Sequence, residues 1–223
     1  MNDKSRKQDA KKKVYLFHKN LIEIKEDLMN SMSVPFKTSS GTSWVPLESW
    51  LIPEGKIFIS GKITQDTACE FVQKLLFLRQ NAPGEKIRIY INSNGGEVYA
   101  GLLMYDALKS IKGDVDIICA GIAGSMAALI LAGGQKGRRL ILPHSKVMIH
   151  EPLVEGGVGG SATTIQRTAE SILETKKLAV ELLAADTGRK TNEIEHAISF
   201  DNFMNAEQAV TFGICDKIIT DFI

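Results

Sequence analysis

From residue 55 onward, short β-branched or aromatic runs alternate with stretches whose apolar residues recur at helical spacing. That alternation restricts the fold more than any other feature of the chain. Residues 56–60 (KIFIS) and 87–91 (IRIYI) have the composition of strands. Residues 116–120 (DIICA) are apolar after the first, as a strand covered on both faces is. Thr64 is placed to cap a helix that gathers Ala68, Phe71, Val72, Leu75 and Leu78 on one face, and residues 98–111 predict a second helix. Residues 126–131 are apolar throughout, which predicts a buried helix. Residues 138–142 and 147–149 read as strands, 162–186 as a long helix stopped by Gly188, 192–198 and 206–212 as short helices, and 216–220 as a closing strand. Units in this order predict an α/β fold on a largely parallel sheet.

Before residue 55 the pattern is different. Leu16, Leu21, Ile24 and Leu28 fit a helix over residues 14–32, and the Ser/Thr/Pro-rich stretch over residues 31–49 reads as a loop. The expected division is therefore a helix-plus-loop extension over residues 1–54 and one domain over residues 55–223. A chain of 223 residues, 44% hydrophobic, is long enough to bury one real core. Its net charge of +1 gives no reason to expect a nucleic-acid partner or an anionic membrane surface. The basic residues Lys4, Arg6, Lys7 and Lys11 to Lys13 read as a solvated tail. No apolar run has the length of a membrane span, and no signal-peptide core follows the basic residues, so membrane insertion is not expected. Cys69, Cys119 and Cys215 are far apart, without the paired spacing of a metal or redox motif, which predicts a reduced, cytoplasmic protein with no metal. No cofactor motif is present either. A phosphate-binding G-x-x-x-x-G-K-[ST] loop is absent, so any use of ATP would belong to a partner.

Two glycine turns attract attention. Gly121-Ile-Ala-Gly-Ser125 joins the strand over 116–120 to the apolar helix, so Ser125 stands at a helix start, where backbone amides lack partners. A serine there is either an ordinary N-cap or a nucleophile beside ready-made oxyanion donors. Asn92-Ser-Asn-Gly95-Gly96 follows another strand and is either a simple turn or the second side of such a site. A serine nucleophile needs a base. Of the four histidines, His18 lies in the polar N-terminal region, His144 in a Pro-His-Ser turn and His196 on a short surface helix. His150 ends the strand over 147–149 and is the leading candidate.

Four motifs occur in order: Asn92-Ser-Asn-Gly-Gly96, the Gly-Ile-Ala-Gly-Ser-Met-Ala run around Ser125, Val147-Met-Ile-His-Glu-Pro152, and Asp201-Asn-Phe-Met-Asn-Ala-Glu207. Together they resemble the motif set of the Clp protease proteolytic subunits, over about residues 55–220. The resemblance implies a spiral of βαβ units, shared with crotonase-like folds, and a projecting handle helix near residues 162–186. It implies serine endopeptidase activity with Ser125 as nucleophile, His150 as base and Asp201 as its orienting acid. By the same resemblance Gly96 and Met126 supply the oxyanion amides, and Gly95, Val98 and Leu153 border the bound substrate. Without it, Asp201 is one carboxylate among many. The glycine-rich residues 153–161 correspond to a strand that can pair with an extended peptide. The implied partners are unfolded proteins or peptides, further copies of the chain in seven-membered rings, single or stacked as fourteen, and a AAA+ ATPase unfoldase.

The chain departs from that family at three places. Residues 1–54 do not match the usual start, Phe200 stands where an Arg commonly precedes the acid, and Asn94 replaces the common Pro before the glycine pair. Other readings therefore remain. One is an ATPase-independent peptidase concerned with processing or export. Another is a crotonase-type acyl-CoA enzyme, for which Glu97 is the available carboxylate. The last is a ring subunit without catalysis of its own.

Overall fold

The computed structural model describes residues 32–111, 113–154 and 156–222. The predicted helix over 14–32 and the basic tail lie outside the described residues, save for Met32. The chain divides into two compact units, Met1–Leu51 and Ile52–Ile223. In the first, the stretch expected to be a loop is an antiparallel hairpin. Strands β1 (Ser33–Thr38) and β2 (Gly41–Pro46) pair from Ser33↔Pro46 to Thr38↔Gly41, and a short helix, α1 (Glu48–Leu51), follows. Hydroxyl-rich composition concealed the strands. Val34 faces Val45 across the ladder, and β-branched residues suit that pleat. The Thr38 hydroxyl donates to the Gly41 carbonyl at 3.0 Å and helps close the two-residue turn. Pro35, which cannot donate, is tolerated because a two-stranded ladder has only edges.

The second unit is a mixed α/β structure on a mostly parallel sheet. Its strands are β3 (Lys56–Ile63), β4 (Ile87–Gly96), β5 (Val115–Gly124), β6 (Arg139–Ile141), β7 (Lys146–Ile149), β8 (Asn202–Met204) and β9 (Lys217–Ile218). The helices are α2 (Gln65–Asn81), α3 (Val98–Ser110), α4 (Met126–Ala132), α5 (Ala162–Thr187), α6 (Thr191–Ile198) and α7 (Ala206–Phe212). β3, β4, β5, β6 and β9 run side by side and parallel, while β7 pairs with β5 and, antiparallel, with β8. The first half of β5 thus bonds to β6 and the second half to β7, which turns the sheet at the end that carries Ser125.

Side chains alternate across the sheet as a pleat requires. Ile59, Ile91, Cys119 and Ile141 form one row toward the helices, within the main core. Phe58, Tyr90, Ile118 and Leu140 form the next row on the opposite face, where Phe222 stacks on Tyr90 at 5.2 Å. The continuous apolar reading of β5 follows from these two covered faces. On the helix side α3 packs between α2 and α4, and α4 packs on α5. All seven residues of α4 are buried. Truncating one of its Leu or Ile side chains to Ala would cost about 2–5 kcal/mol.

Local signals start and stop the helices. The Thr64 hydroxyl accepts from the Thr67 amide, and the Thr67 hydroxyl accepts from the Thr64 amide at 2.9 Å, a reciprocal cap. Ser161 caps α5, and Gly188 ends it in the left-handed conformation. The buried residues of α5 are Val180, Leu183 and Asp186, all in its last turns, whereas residues 162–167 are exposed on every side. Its N-terminal half therefore projects from the unit. The C-terminal half is held by Asp186, which accepts from Tyr105 Oη at 2.8 Å and from Lys109 Nζ at 2.6 Å. Burial, and then the bond to Asp186, raises the Tyr105 hydroxyl above its ordinary range.

Candidate active site

Ser125 joins the end of β5 to the start of α4 and is the one non-glycine residue with positive φ (53°) among the described residues. Such a conformation is strained and persists only where neighbours hold it. Here the Ser125 amide donates to the Met148 carbonyl at 2.8 Å, and the Ser125 carbonyl accepts from Ala128 and Leu129. Its side chain makes no capping bond to α4. The hydroxyl instead meets His150 Nε2 at 2.9 Å. The N-cap reading of this serine therefore gives way to a side chain presented outward from the turn.

His150 follows directly on β7, which is brought beside Ser125 by the pairing Gly124↔Met148. Pro152 and two tethers keep the chain from continuing as a strand. The Glu151 amide donates to the Ile198 carbonyl at 2.8 Å, and the Glu151 carboxylate pairs with Lys176 of α5 at 2.5 Å. Across β7 lies β8, with Ile149 opposite Asn202, so the next residues along the two antiparallel strands, His150 and Asp201, also face each other. Asp201 Oδ1 lies 3.2 Å from His150 Nδ1. Asn202 Nδ2 donates to the Ala197 carbonyl at 3.2 Å, which ties the start of β8 to α6. The Asp201 side chain is 68% exposed and that of His150 only 16%. β8 was missed in the sequence because three residues carry no periodicity; its signal is the long-range pairing alone.

The two glycine turns do meet. A Cβ on Gly95 would lie 2.8 Å from Ser125 Cβ and 3.0 Å from the Met126 nitrogen, so only glycine lets the loop approach this closely. The Gly95 amide is taken by the Ser93 hydroxyl at 3.0 Å, whereas Gly96 lines the cleft that holds Ser125 and His150. Met126 opens α4, so its amide has no acceptor within the helix. Of the residues expected to border substrate, Val98 and Leu153 line the cleft, and Gly95 lies directly against Ser125.

An apolar pocket that the sequence did not reveal opens beside Ser125. It is lined by Leu102, Met126 and Leu129 from one side and by Thr175, Leu178 and Ala179 of α5 from the other. The spacing 175, 178, 179 is a helical face, yet nothing local says what that face covers. His196 is not part of this cleft; its ring lies edge-on to Phe200. Two of the cysteines are not competing nucleophiles. Burial pushes the Cys119 thiol up to about 12, and burial first, then proximity to Cys119, raises Cys215 as well. Among the described residues no cluster of His, Cys, Asp and Glu could hold a metal ion, and no helix is long and apolar enough to cross a membrane.

A hydroxyl, an imidazole and a carboxylate in sequence, beside two helix- and loop-derived amides, can carry out acyl transfer. A family model described as Clp protease matches residues 39–222, well over half of the chain. That match begins in the turn between β1 and β2, upstream of residue 55. The chain belongs to the Clp protease family.

Proposed function

We propose that the protein is a serine endopeptidase that cleaves unfolded protein segments and peptides with Ser125, His150 and Asp201. The observation that carries this reading is the position of His150, within hydrogen-bond reach of Ser125 at 2.9 Å and of Asp201 at 3.2 Å. The His150 Nδ1 proton is donated to Asp201, which leaves Nε2 free to accept the Ser125 proton as Oγ attacks the scissile carbonyl. The amides of Gly96 and Met126 receive the oxyanion; removing one such donor typically costs about 3–4 kcal/mol of transition-state stabilisation. His150 then gives its proton to the leaving amine, and an acyl-enzyme remains on Ser125. Water, activated by the same imidazole, releases the acid product. The apolar pocket beside Ser125 takes an apolar substrate side chain next to the cleaved bond.

The peptidase works in the cytoplasm, as rings of identical subunits that enclose the sites and that stack through α5. A AAA+ unfoldase feeds those rings with folded substrates; the alternative, an ATPase-independent processing peptidase, predicts no stimulation by any unfoldase. A fluorophosphonate probe tests the central step. Covalent labelling of the wild type, lost in Ser125→Ala together with hydrolysis of a fluorogenic peptide, is the expected result. Labelling that survives in Ser125→Ala, or a wild type that never reacts, would overturn the proposal.

A further inference from the structure

Two recesses, one apolar and one of mixed polarity, meet at Ser125. Val98, Ser125, His150 and Pro152 line both. One is the apolar pocket closed by α5; the other, about 280 Å³, adds Lys62, Asn94 and Glu97. Glu97 directly follows Gly96 and is the N-cap residue of α3, a position at which Ser, Thr, Asp and Asn are favoured for bonds back to the helix. The Glu97 side chain makes no such bond. It is exposed on the cleft wall and has no hydrogen-bond or ion-pair partner among the described residues. Lys62, the cation on the same wall, already takes part in an interaction of its own. Proton transfer does not require Glu97, because His150 already bridges Ser125 and Asp201.

We propose that Glu97 is a specificity-determining residue that pairs with a Lys or Arg side chain of the bound peptide, on the flank of the scissile bond away from the apolar pocket. This inference rests on the peptidase reading and adds a charge preference to it. The geometry makes a simple demand on substrate: an apolar side chain to one side of Ser125 and a cationic one to the other. A half-exposed pair of this kind is worth up to ~1 kcal/mol, which corresponds to about fivefold in kcat/KM. It weakens as salt screens the two charges.

The test uses internally quenched peptides with an apolar residue fixed beside the cleaved bond and Lys, Gln or Glu scanned through the flanking positions. Within each enzyme the ratio of kcat/KM for Lys over Gln is read at low and high salt. The wild type is expected to favour Lys about fivefold at one position, with the ratio falling in high salt. Glu97→Gln should bring that ratio to unity, and Glu97→Lys should move the preference to Glu. A wild-type ratio near unity at every position, or one that Glu97→Gln leaves unchanged, overturns this inference while hydrolysis itself upholds the peptidase reading. A wild type that cleaves none of the peptides and takes up no fluorophosphonate overturns both. The wild-type ratio and its salt dependence need no variant, so misfolding of a substituted chain cannot rescue the inference.

Discussion

Replacing Gly95 by Ala should disable the site, whereas the same replacement at Gly61, on the neighbouring strand, should not. Both glycines have positive φ, +94° and +73°. An L side chain in that conformation costs roughly 1–2 kcal/mol, so both variants carry that strain. They differ in what the new methyl meets. At Gly61 nothing lies within 4 Å. At Gly95 the Cβ would stand 2.6 Å from the Gly124 carbonyl oxygen, 2.8 Å from Ser125 Cβ and 3.0 Å from the Met126 nitrogen. Bringing the first of these to an ordinary contact of 3.4 Å means moving the loop or the turn at Ser125 by up to about 0.8 Å. Overpacking of this kind adds about 1–3 kcal/mol of destabilisation. Its larger effect is on chemistry, since a misplacement of about 1 Å costs on the order of 10²-fold in rate. Gly61→Ala should therefore lose ~1–2 kcal/mol of stability and keep its kcat. Gly95→Ala should lose more stability and about two orders of magnitude in kcat. Thermal denaturation and turnover of a fluorogenic peptide, at a temperature where both variants remain folded, measure the two effects separately. A folded Gly95→Ala enzyme with wild-type kcat would refute the reasoning, because the turn around Ser125 would then have absorbed the methyl without moving the hydroxyl.

Three further outcomes are expected. His150→Ala and Asp201→Ala should each be deeply impaired and should add almost nothing to Ser125→Ala in combination; additive losses in peptide hydrolysis would show that the three do not act as a unit. For Asp216, burial alone would raise the carboxyl, but the hydrogen bonds and charge of Arg139, with the Arg139 and Gly137 amides, outweigh it and hold it below its ordinary range. Its stabilisation is then complete above the unfolded-state value and is lost as pH falls through the lower folded-state value. Asp216→Asn, which strands Arg139 at 3% exposure, should cost about 3 kcal/mol at neutral pH, and urea titrations should show that deficit shrinking in acid; a deficit constant with pH would sink the assignment. Leu173, 63% exposed on the projecting half of α5, tests the proposed stacking through that helix better than the half-buried Ile172 does. Leu173→Glu should dissociate the assembly in sedimentation velocity without unfolding the subunit, and an intact assembly would show that α5 is no interface.

Much of this molecule was legible from neighbours along the chain. Thr64 and Gly188 mark helix ends because caps are made within a few residues of where they act. The all-apolar run over 126–131 and the helical spacing of Ala68, Phe71, Leu75 and Leu78 declare burial for a similar reason, since such a pattern is written in side chains close along the chain. Ser125 and His150 could be singled out as residues at the ends of strands. The hairpin over β1 and β2 was missed because its stabilisation comes from cross-strand pairing of a hydroxyl-rich sequence, not from an apolar face.

The sequence by itself determined the order of strands and helices after residue 55, apart from β8, together with the buried helix after Ser125 and the two glycine turns that allow close backbone approach. It also held the four motifs that carry the resemblance to the family. Tertiary structure alone decided that β5 hands its second half to β7, which sets His150 beside Ser125, and that β8 lies antiparallel to β7, which sets Asp201 against His150. It alone decided that Thr175, Leu178 and Ala179 of α5 close a pocket on Leu102 and Leu129, and that Glu97 stands in the adjoining recess. The reason is physical. Caps, turns and amphipathic faces are set by interactions over a few residues. Which strand lies beside which, and what a helix face covers, depends on loop closure and burial across many tens of residues, and those contacts exist only once the chain has folded.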